Sequence, residues 1–362
     1  MVTSLPPLCA TANVASSATT QRKATMVGSE PVACSKICDF KVAHMLAARL
    51  PCWRAAAASR LFSANADAAR EVVSLLTSRD PSALALVAPA QDLRWSYGEL
   101  AARVEAVAAT LQQDGARTVG VALGSVGENV AAQLGAVVAG VDVATVKLGT
   151  DVDANAAAFQ AAADSLGCRK VFVGVNDAVQ YGEVSGIAGV VLADEPAAAA
   201  AAAAAGGGGG STYYYNNVTK GVGLADLLAL GQATAAELRL GPDDRVCVPV
   251  TLNHAMGFGF GVLGALSAGA AIVLPSPAPD ALFTLAALKS EGATVLLADS
   301  HTAASLDALS LGQGGGGVAV AGLAALRAGL IKVGSGEAFG RGEPRECLGV
   351  GLTTVGNPPA PK

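Results

Sequence analysis

Short β-branched runs recur along this chain with helix-length stretches between them, and that alternation constrains the fold more than any other feature. "TVGVAL" (118–123), "VDVATV" (141–146), "KVFVGV" (170–175) and "GVVLA" (189–193) read as buried strands. After an Ala/Gly tract the pattern resumes with "RVCVPV" (245–250), "AAIVL" (270–274), "TVLLA" (294–298) and "AGLIKVG" (328–334). Runs of this length, apolar on both faces, belong inside parallel sheets, and the stretches between them supply the crossover helices. The expected class is α/β: mostly parallel sheets flanked by helices.

The helical stretches carry their own punctuation. Residues 63–80 predict a helix stopped by Asp80-Pro81, and "ALALV" (83–87) and "RWSY" (94–97) predict two short strands around a turn. Ser96 with Glu99 three residues on forms a capping-box pattern. Leu100, Val104, Val107 and Leu111 then recur at helical spacing until Gly115. Further helices are expected at 128–139, 155–166, 222–238, 256–268, 280–290 and 302–310. The stretch "MGFGFGVLGALSAGAAIVLP" is long enough to cross a bilayer. Its glycines and its lack of a basic flank favour a buried helix followed by a strand, so no membrane span is expected.

The apolar content is 52% but aromatic residues make up only 4%, so small side chains must build the core. Such cores bury less area per residue at ~25 cal/mol per Å², and the chain gains from a partner surface. Charge is uneven. Residues 1–62 hold seven Lys/Arg against Glu30 and Asp39, which leaves 17 basic and 27 acidic residues, a formal charge of −10, for the remainder. A nucleic-acid partner would need a basic face, and none is expected.

From Met45 the chain reads "MLAARLPCWRAAAASRLFSANADAA", with Arg49, Arg54 and Arg60 among apolar residues and no acid before Asp67. This is the profile of a mitochondrial transit peptide, with the cut expected after Phe62; a chloroplast address is the alternative. Translation starts at Met1 or Met45. Four cysteines (Cys9, Cys34, Cys38, Cys52) lie in this leader, and Cys168, Cys247 and Cys347 are far apart. Neither a disulfide framework nor a zinc spacing emerges, and reduced, buried thiols are expected.

The expected organisation follows from these pieces. Residues 1–62 are the leader, 63–196 a first α/β subdomain, 197–210 a flexible Ala/Gly insertion and 211–340 a second subdomain. Residues 341–362, ending "GNPPAPK", are an irregular tail, and Gln313–Gly317 is a smaller Gly-rich break.

Three blocks resemble one family. "LRWSYGELAARVEAVAATLQQDGARTVGVALGSVGENVAAQLGAVVAGVDVATV" is similar to the opening of the AMP-binding superfamily, the adenylate-forming acyl-CoA synthetases, in which a Thr-Tyr-x-x-Leu helix precedes a helix–strand step. "LGPDDRVCVPVTLNHAMGFGFGVLGALSAGAAIVLP" resembles the later core segment, where Pro249, His254 and Gly257 fit a Pro-Leu-x-His-x-x-Gly motif. "LAALRAGLIKVGSGEAF" is similar to the family's Leu-Arg-x-Gly step, so the likeness covers about residues 70–340.

Between the first two blocks the family keeps a phosphate loop, Ser/Thr-Gly-Thr-Thr-Gly-x-Pro-Lys-Gly. Aligned on its end, Lys220 and Gly221 match and Thr219 replaces the proline. Tyr213, Tyr214, Tyr215, Asn216 and Asn217 then occupy the Gly/Thr positions. Bare backbone N–H groups close on phosphate oxygens in such loops, and tyrosine rings there should block the approach. The adenine-binding turn, the ribose aspartate and the C-terminal domain with its lysine are not found in the sequence. The resemblance therefore implies a catalytically inactive relative, with no catalytic residue, cofactor or metal. Its expected role is a structural or accessory subunit of a mitochondrial assembly, in the matrix or on the matrix side of the inner membrane. A respiratory-chain complex such as NADH dehydrogenase is the expected host, with its protein subunits as partners. The alternatives are an acyl-CoA ligase, or an acyl- or CoA-binding module keeping a vestigial pocket at His254 and Gly257.

Other chemistry is weakly signalled. Asp299-Ser300-His301 suggests part of a triad, but no Gly-x-Ser-x-Gly elbow accompanies it. Asp243-Asp244 and Asp151/Asp153 read as element flanks rather than metal ligands. "VGSGEAFGRG" lacks the glycine order of a dinucleotide loop. "TYYY" could stack on a base or acyl chain, but a packing or partner-facing role for exposed tyrosines is the expectation.

Overall fold

The capping box at Ser96 forms as its spacing predicts. In the computed structural model the Ser96 hydroxyl accepts from the Glu99 backbone N–H, and the Glu99 carboxylate accepts from the Ser96 N–H at 2.8 Å. The helix Tyr97–Gln113 starts there and buries Leu100, Val104, Val107 and Leu111. The structure describes residues 50–146, 152–168, 170–174, 188–190, 211–215, 221–312, 323–333, 340–341 and 343–356.

Two sheets organise the chain, both within the compact unit Trp53–Lys362. The six-stranded sheet runs β6-β5-β3-β4-β7-β8, from β3 (Thr118–Ala122), β4 (Asp142–Thr145), β5 (Lys170–Val173), β6 (Ala188–Val190), β7 (Thr212–Tyr214) and β8 (Val222–Gly223). All its pairs are parallel except β7 with β8. The nine-stranded sheet runs β13-β15-β12-β11-β9-β10-β1-β2, with β14 paired to β15. Its strands are β1 (Leu84–Ala88), β2 (Leu93–Ser96), β9 (Arg245–Cys247), β10 (Ala271–Val273), β11 (Val295–Asp299), β12 (Ala328–Val333), β13 (Gly340–Arg341), β14 (Arg345–Cys347) and β15 (Val350–Gly356). The order of the helices Gly127–Ala139, Val152–Leu166, Leu224–Glu237, Ala281–Ser290 and Ser300–Gly312 between strands is the expected α/β alternation.

Three expectations change. The first helix runs Leu50–Thr77, so it begins before residue 63 and passes through the expected cut after Phe62. The subdomain boundaries do not follow the sheets. β1 joins β10 in parallel at Leu86↔Ile272 and Val87↔Val273, so a strand expected in the first subdomain completes the sheet of the second. The stretch expected to be an irregular tail carries β14 and β15, joined by the two-residue turn Leu348-Gly349. Both turn residues have positive φ (56° and 78°), the backbone a tight hairpin needs. β15 then pairs in parallel with β12 and buries Leu352 and Val355. Glycines at 349 and 351 hide its alternation from a sequence reading.

Residues 256–268 form a π-helical stretch, Met256–Leu263, continued by the α-helix Gly264–Ala268, and lead into β10. All of Met256–Leu263 is buried. Small residues make this possible: a Cβ on Gly231 would stand 2.8 Å from the Gly264 nitrogen. The helix Leu224–Glu237 thus packs backbone to backbone on the Gly-rich one. Among the described residues no helix is long and apolar enough to cross a membrane. Cys168, Cys247 and Cys347 are free and buried. The leader to residue 49, the Ala/Gly tract 197–210 and the break 313–317 lie outside the described residues.

One large apolar cluster joins the sheets, taking Val119, Val121 and Val143 from the six-stranded sheet and Val246, Ile272, Val295 and Leu330 from the nine-stranded one. A second cluster, with Cys247, Leu296, Ile331 and Leu352, covers the other face of the nine-stranded sheet.

Candidate functional site

Thr212, Tyr213, Tyr214 and Tyr215 alternate between partly exposed and buried side chains, the period of a strand. Tyr213 is fully buried; its ring stacks on Phe258 with centroids 5.1 Å apart, and its hydroxyl donates to the Gln133 carbonyl at 3.3 Å. Tyr215 is buried on the same face, 6.0 Å from the Tyr213 ring and 5.9 Å from the His254 imidazole. The Asp142 carboxylate, whose pKa burial raises, accepts from the Thr212 N–H at 2.7 Å and pins β7 against β4.

The tyrosines are therefore not the loop. Tyr213 and Tyr214 lie on β7, with the first and third rings of the run turned into the core, so a ring-blocked phosphate loop does not describe them and, of the two roles expected for the rings, packing is the one seen. The reason is the two-residue period: a strand entering a sheet between β4 and β8 must turn alternate side chains inward. Asn216, Asn217, Thr219 and Lys220 lie outside the described residues. Gly221 begins the return to β8, where a Cβ would meet Thr212 Cγ2 at 2.2 Å. Hairpin packing alone accounts for that glycine.

His254 follows β9 in the loop that leads to the π-helical stretch. Its Nδ1 accepts from the Met256 N–H at 3.2 Å, which leaves Nε2–H as the imidazole's donor. Its pKa is pushed down to about 4, first by burial and second by the Lys332 charge, so the ring is neutral near pH 7. Gly257 next to it has no room for a side chain, since a Cβ would sit 2.2 Å from the Thr251 carbonyl oxygen.

Behind His254 a polar clip ties the two sheets together. Asn129 Nδ2 donates to the Gly124 carbonyl (2.8 Å) and to Asn253 Oδ1 (3.2 Å). Gln133 Nε2 donates to Asn129 Oδ1 (2.7 Å) and the Leu252 carbonyl (3.1 Å). Asn253 Nδ2 donates to the Leu123 carbonyl at 3.0 Å, and Thr145 Oγ1 donates to the Asn253 carbonyl at 3.2 Å. Asn129, Gln133, Thr145 and Asn253 are all buried, so each bond is made where water cannot replace it. The sequence reading missed these residues. Two amides, Asn129 and Gln133, in a helix 127–139 whose only other polar side chain is Glu128 were the available signal.

The remaining candidates separate. Asp299 Oδ1 accepts from the Thr302 N–H at 2.7 Å and caps the helix Ser300–Gly312, while His301 is exposed, so the triad fragment is a helix start. Asp244, its pKa lowered by Arg327, Thr294 and the Gly241 N–H against the opposing effect of burial, is a structural anchor. Arg327 reaches it through Nε (3.0 Å) and Nη2 (2.6 Å). Among the described residues no three His, Cys, Asp or Glu are grouped as metal ligands.

No family model matches the sequence, and no curated protein matches it. Solved structures do match. ATP-bound MatB from Rhodopseudomonas palustris superposes with a TM-score of 0.55 at 20% identity, over 75% of this chain and 55% of that one. The AMPPNP-bound nonribosomal peptide synthetase FmoA3 gives 0.62 at 19%, over 80% of this chain and 31% of that one. VinN in complex with L-aspartate gives 0.59 at 20%, over 74% and 69%. This chain spans about half the length of the MatB structures it matches. The chain therefore shares the fold of these three proteins over about three quarters of its length, corresponding to part of each of them.

Proposed function

We propose that this chain is a non-adenylating relative of the acyl-CoA synthetases that serves as an accessory component of a mitochondrial protein assembly. The observation that carries the first half is the hairpin. Once Tyr213 and Tyr214 are assigned to β7 and Tyr215 to the buried residues after it, five residues remain before Gly221, namely Asn216-Asn217-Val218-Thr219-Lys220. None is glycine. A loop that cradles a triphosphate needs several backbone N–H groups presented without side chains in the way. Lys220 alone supplies a point charge, and Gly221 has its own packing reason to persist.

The accessory role is supported by the Arg-bearing, acid-poor stretch before Phe62 and by apolar side chains left at the surface. Leu282 and Phe283, at the start of the helix Ala281–Ser290, are 59% and 53% exposed. Membership of a respiratory-chain complex is the specific form of this reading.

Purified full-length protein assayed for acid-dependent ATP–pyrophosphate exchange across a panel of carboxylic acids is expected to show no turnover above a blank. Exchange with any acid would replace this reading with that of an acyl-CoA ligase. Native-gel migration from mitochondria tests the second half: the chain is expected in a high-mass band, and migration as a free monomer counts against an accessory subunit.

A further inference from the structure

One cavity takes in neither His254 nor the polar clip. It encloses about 520 Å³, the size of a small-ligand site. Leu84, Arg245 and Ala271, the first residues of β1, β9 and β10, line it, so it lies at the amino rim of the nine-stranded sheet. Ligands of open α/β sheets sit beyond the opposite, carboxyl ends of the strands. Tyr97 also lines the cavity; it is 1% exposed, and its hydroxyl donates to the Ala270 carbonyl at 3.1 Å.

Five charged side chains line this cavity, and two of them are matched elsewhere. Asp244 accepts from Thr294, from the Gly241 N–H and from two nitrogens of Arg327 (3.0 and 2.6 Å). Arg245 Nη1 donates to the Glu291 carbonyl at 2.5 Å and lies 3.9 Å from the Glu291 carboxylate. Arg79, Asp80 and Asp243 remain. The Arg79 guanidinium lies against Gly269, where an added Cβ would meet its Cζ at 2.9 Å, and donates from Nη2 to the Ser267 carbonyl at 3.2 Å. Its Nε is buried without a partner, and among the described residues no carboxylate pairs with it. Asp80 spends Oδ1 on the Ser82 N–H and hydroxyl (2.9 and 2.7 Å), and Asp243 is exposed. A cation and two carboxylates thus share one cavity, and no ion pair joins them.

We propose that this cavity binds a small zwitterion whose charges are separated by a short chain, its carboxylate on Arg79 and its ammonium on Asp243. Opposite charges that line one cavity without pairing are complementary to an occupant carrying both. A simple anion would face two carboxylates and a simple cation would face the guanidinium, so each leaves one charge unmatched. The Arg79 fork has donors to spare for a carboxylate. An ammonium brings three donors, enough for Asp243 and for the Asp80 oxygen not used by Ser82. Ala83, Leu84 and Ala271 offer an apolar lining to the chain between the two charges. The proposal is independent of whether adenylation has been lost.

The test uses full-length protein labelled with 13Cζ-tyrosine, which contains five tyrosines, the Tyr97 signal being assigned from the spectrum of Tyr97→Phe. The probe is γ-aminobutyrate, with butyrate and butylamine as its singly charged counterparts. γ-Aminobutyrate is expected to shift the Tyr97 signal saturably. Butyrate and butylamine are each expected to bind at least about tenfold more weakly, the scale of one hydrogen bond to a charged group. Asp243→Asn should weaken γ-aminobutyrate binding by a similar factor and leave butyrate binding unchanged. Arg79→Gln should weaken it too and leave butylamine binding unchanged. Absence of a saturable Tyr97 shift, equal affinity for either singly charged counterpart, or wild-type affinity in Asp243→Asn would each overturn the proposal. Should Arg79→Gln fail to fold, because it also loses the Ser267 contact, the exposed Asp243→Asn and the comparison of the three probes still decide it. A positive ATP–pyrophosphate exchange would leave this result unaffected.

Discussion

His254 shows how one residue's surroundings set its chemistry. Burial and the Lys332 charge both oppose protonation, so its pKa falls from the ordinary 6.5 to about 4. In the unfolded chain the same imidazole takes up its proton near 6.5. Between these values the unfolded state binds more protons than the folded one, so acidification favours unfolding. The contribution is fully present above pH 6.5, is lost as pH falls toward 4, and amounts to about 3 kcal/mol. Urea titrations at pH 7 and pH 4.5 should differ by most of this amount, and His254→Gln should flatten the difference. Equal pH dependence in the two proteins would show that His254 titrates normally. At the neighbouring position, Gly257 is fixed by contact rather than by backbone angle, because a Cβ would collide with the Thr251 carbonyl oxygen.

At the scale of the element, local signals and tertiary demands agree in some places and part in others. The helix Tyr97–Gln113 is locally determined: a reciprocal capping box starts it and an apolar face of three- and four-residue spacing docks it. Ser96→Ala should cost about 1 kcal/mol, seen as a lowered thermal midpoint, with the apolar packing of the helix unchanged. A loss near zero would mean that packing alone holds the first turn. β7 is the opposite case. Three tyrosines beside asparagines read locally as a replaced loop, yet strand pairing with β4 and β8 turns two of the rings inward. The stretch Met256–Leu263 was legible as a helix, but its π-helical winding was not. That winding goes with glycine-to-glycine approach to the helix Leu224–Glu237, a contact that sequence spacing does not encode.

On the scale of the whole molecule, two sheets share one apolar cluster, and the buried amides of Asn129, Gln133 and Asn253 fasten them at the rim. Asn129→Leu removes a donor and an acceptor at once, leaving the Asn253 and Gln133 amides short of partners in a dry site. The expected cost is about 2–3 kcal/mol, with both sheets still unfolding in one transition in a urea titration followed by fluorescence and circular dichroism. Two separated transitions would show that the clip, rather than the shared core, couples the sheets. The exposed Leu282 and Phe283 belong to this scale as well, since a covering partner would explain apolar side chains left in water.

By itself the sequence determined the alternation of strands and helices, the helix cap at Ser96, the buried thiols and the likeness of three blocks to adenylate-forming enzymes. These are properties of local spacing and composition, which survive without knowledge of neighbours. Only the tertiary structure decided which strands share a sheet, that β1 lies beside β10, and that residues 345–356 complete the sheet instead of trailing from it. It also decided that Tyr213 is core and that Lys332 and Asp299 lie opposite each other on neighbouring strands. Such facts depend on register and on contacts between residues far apart in the chain. A two-residue strand period fixes which face a side chain takes only once its partner strands are known.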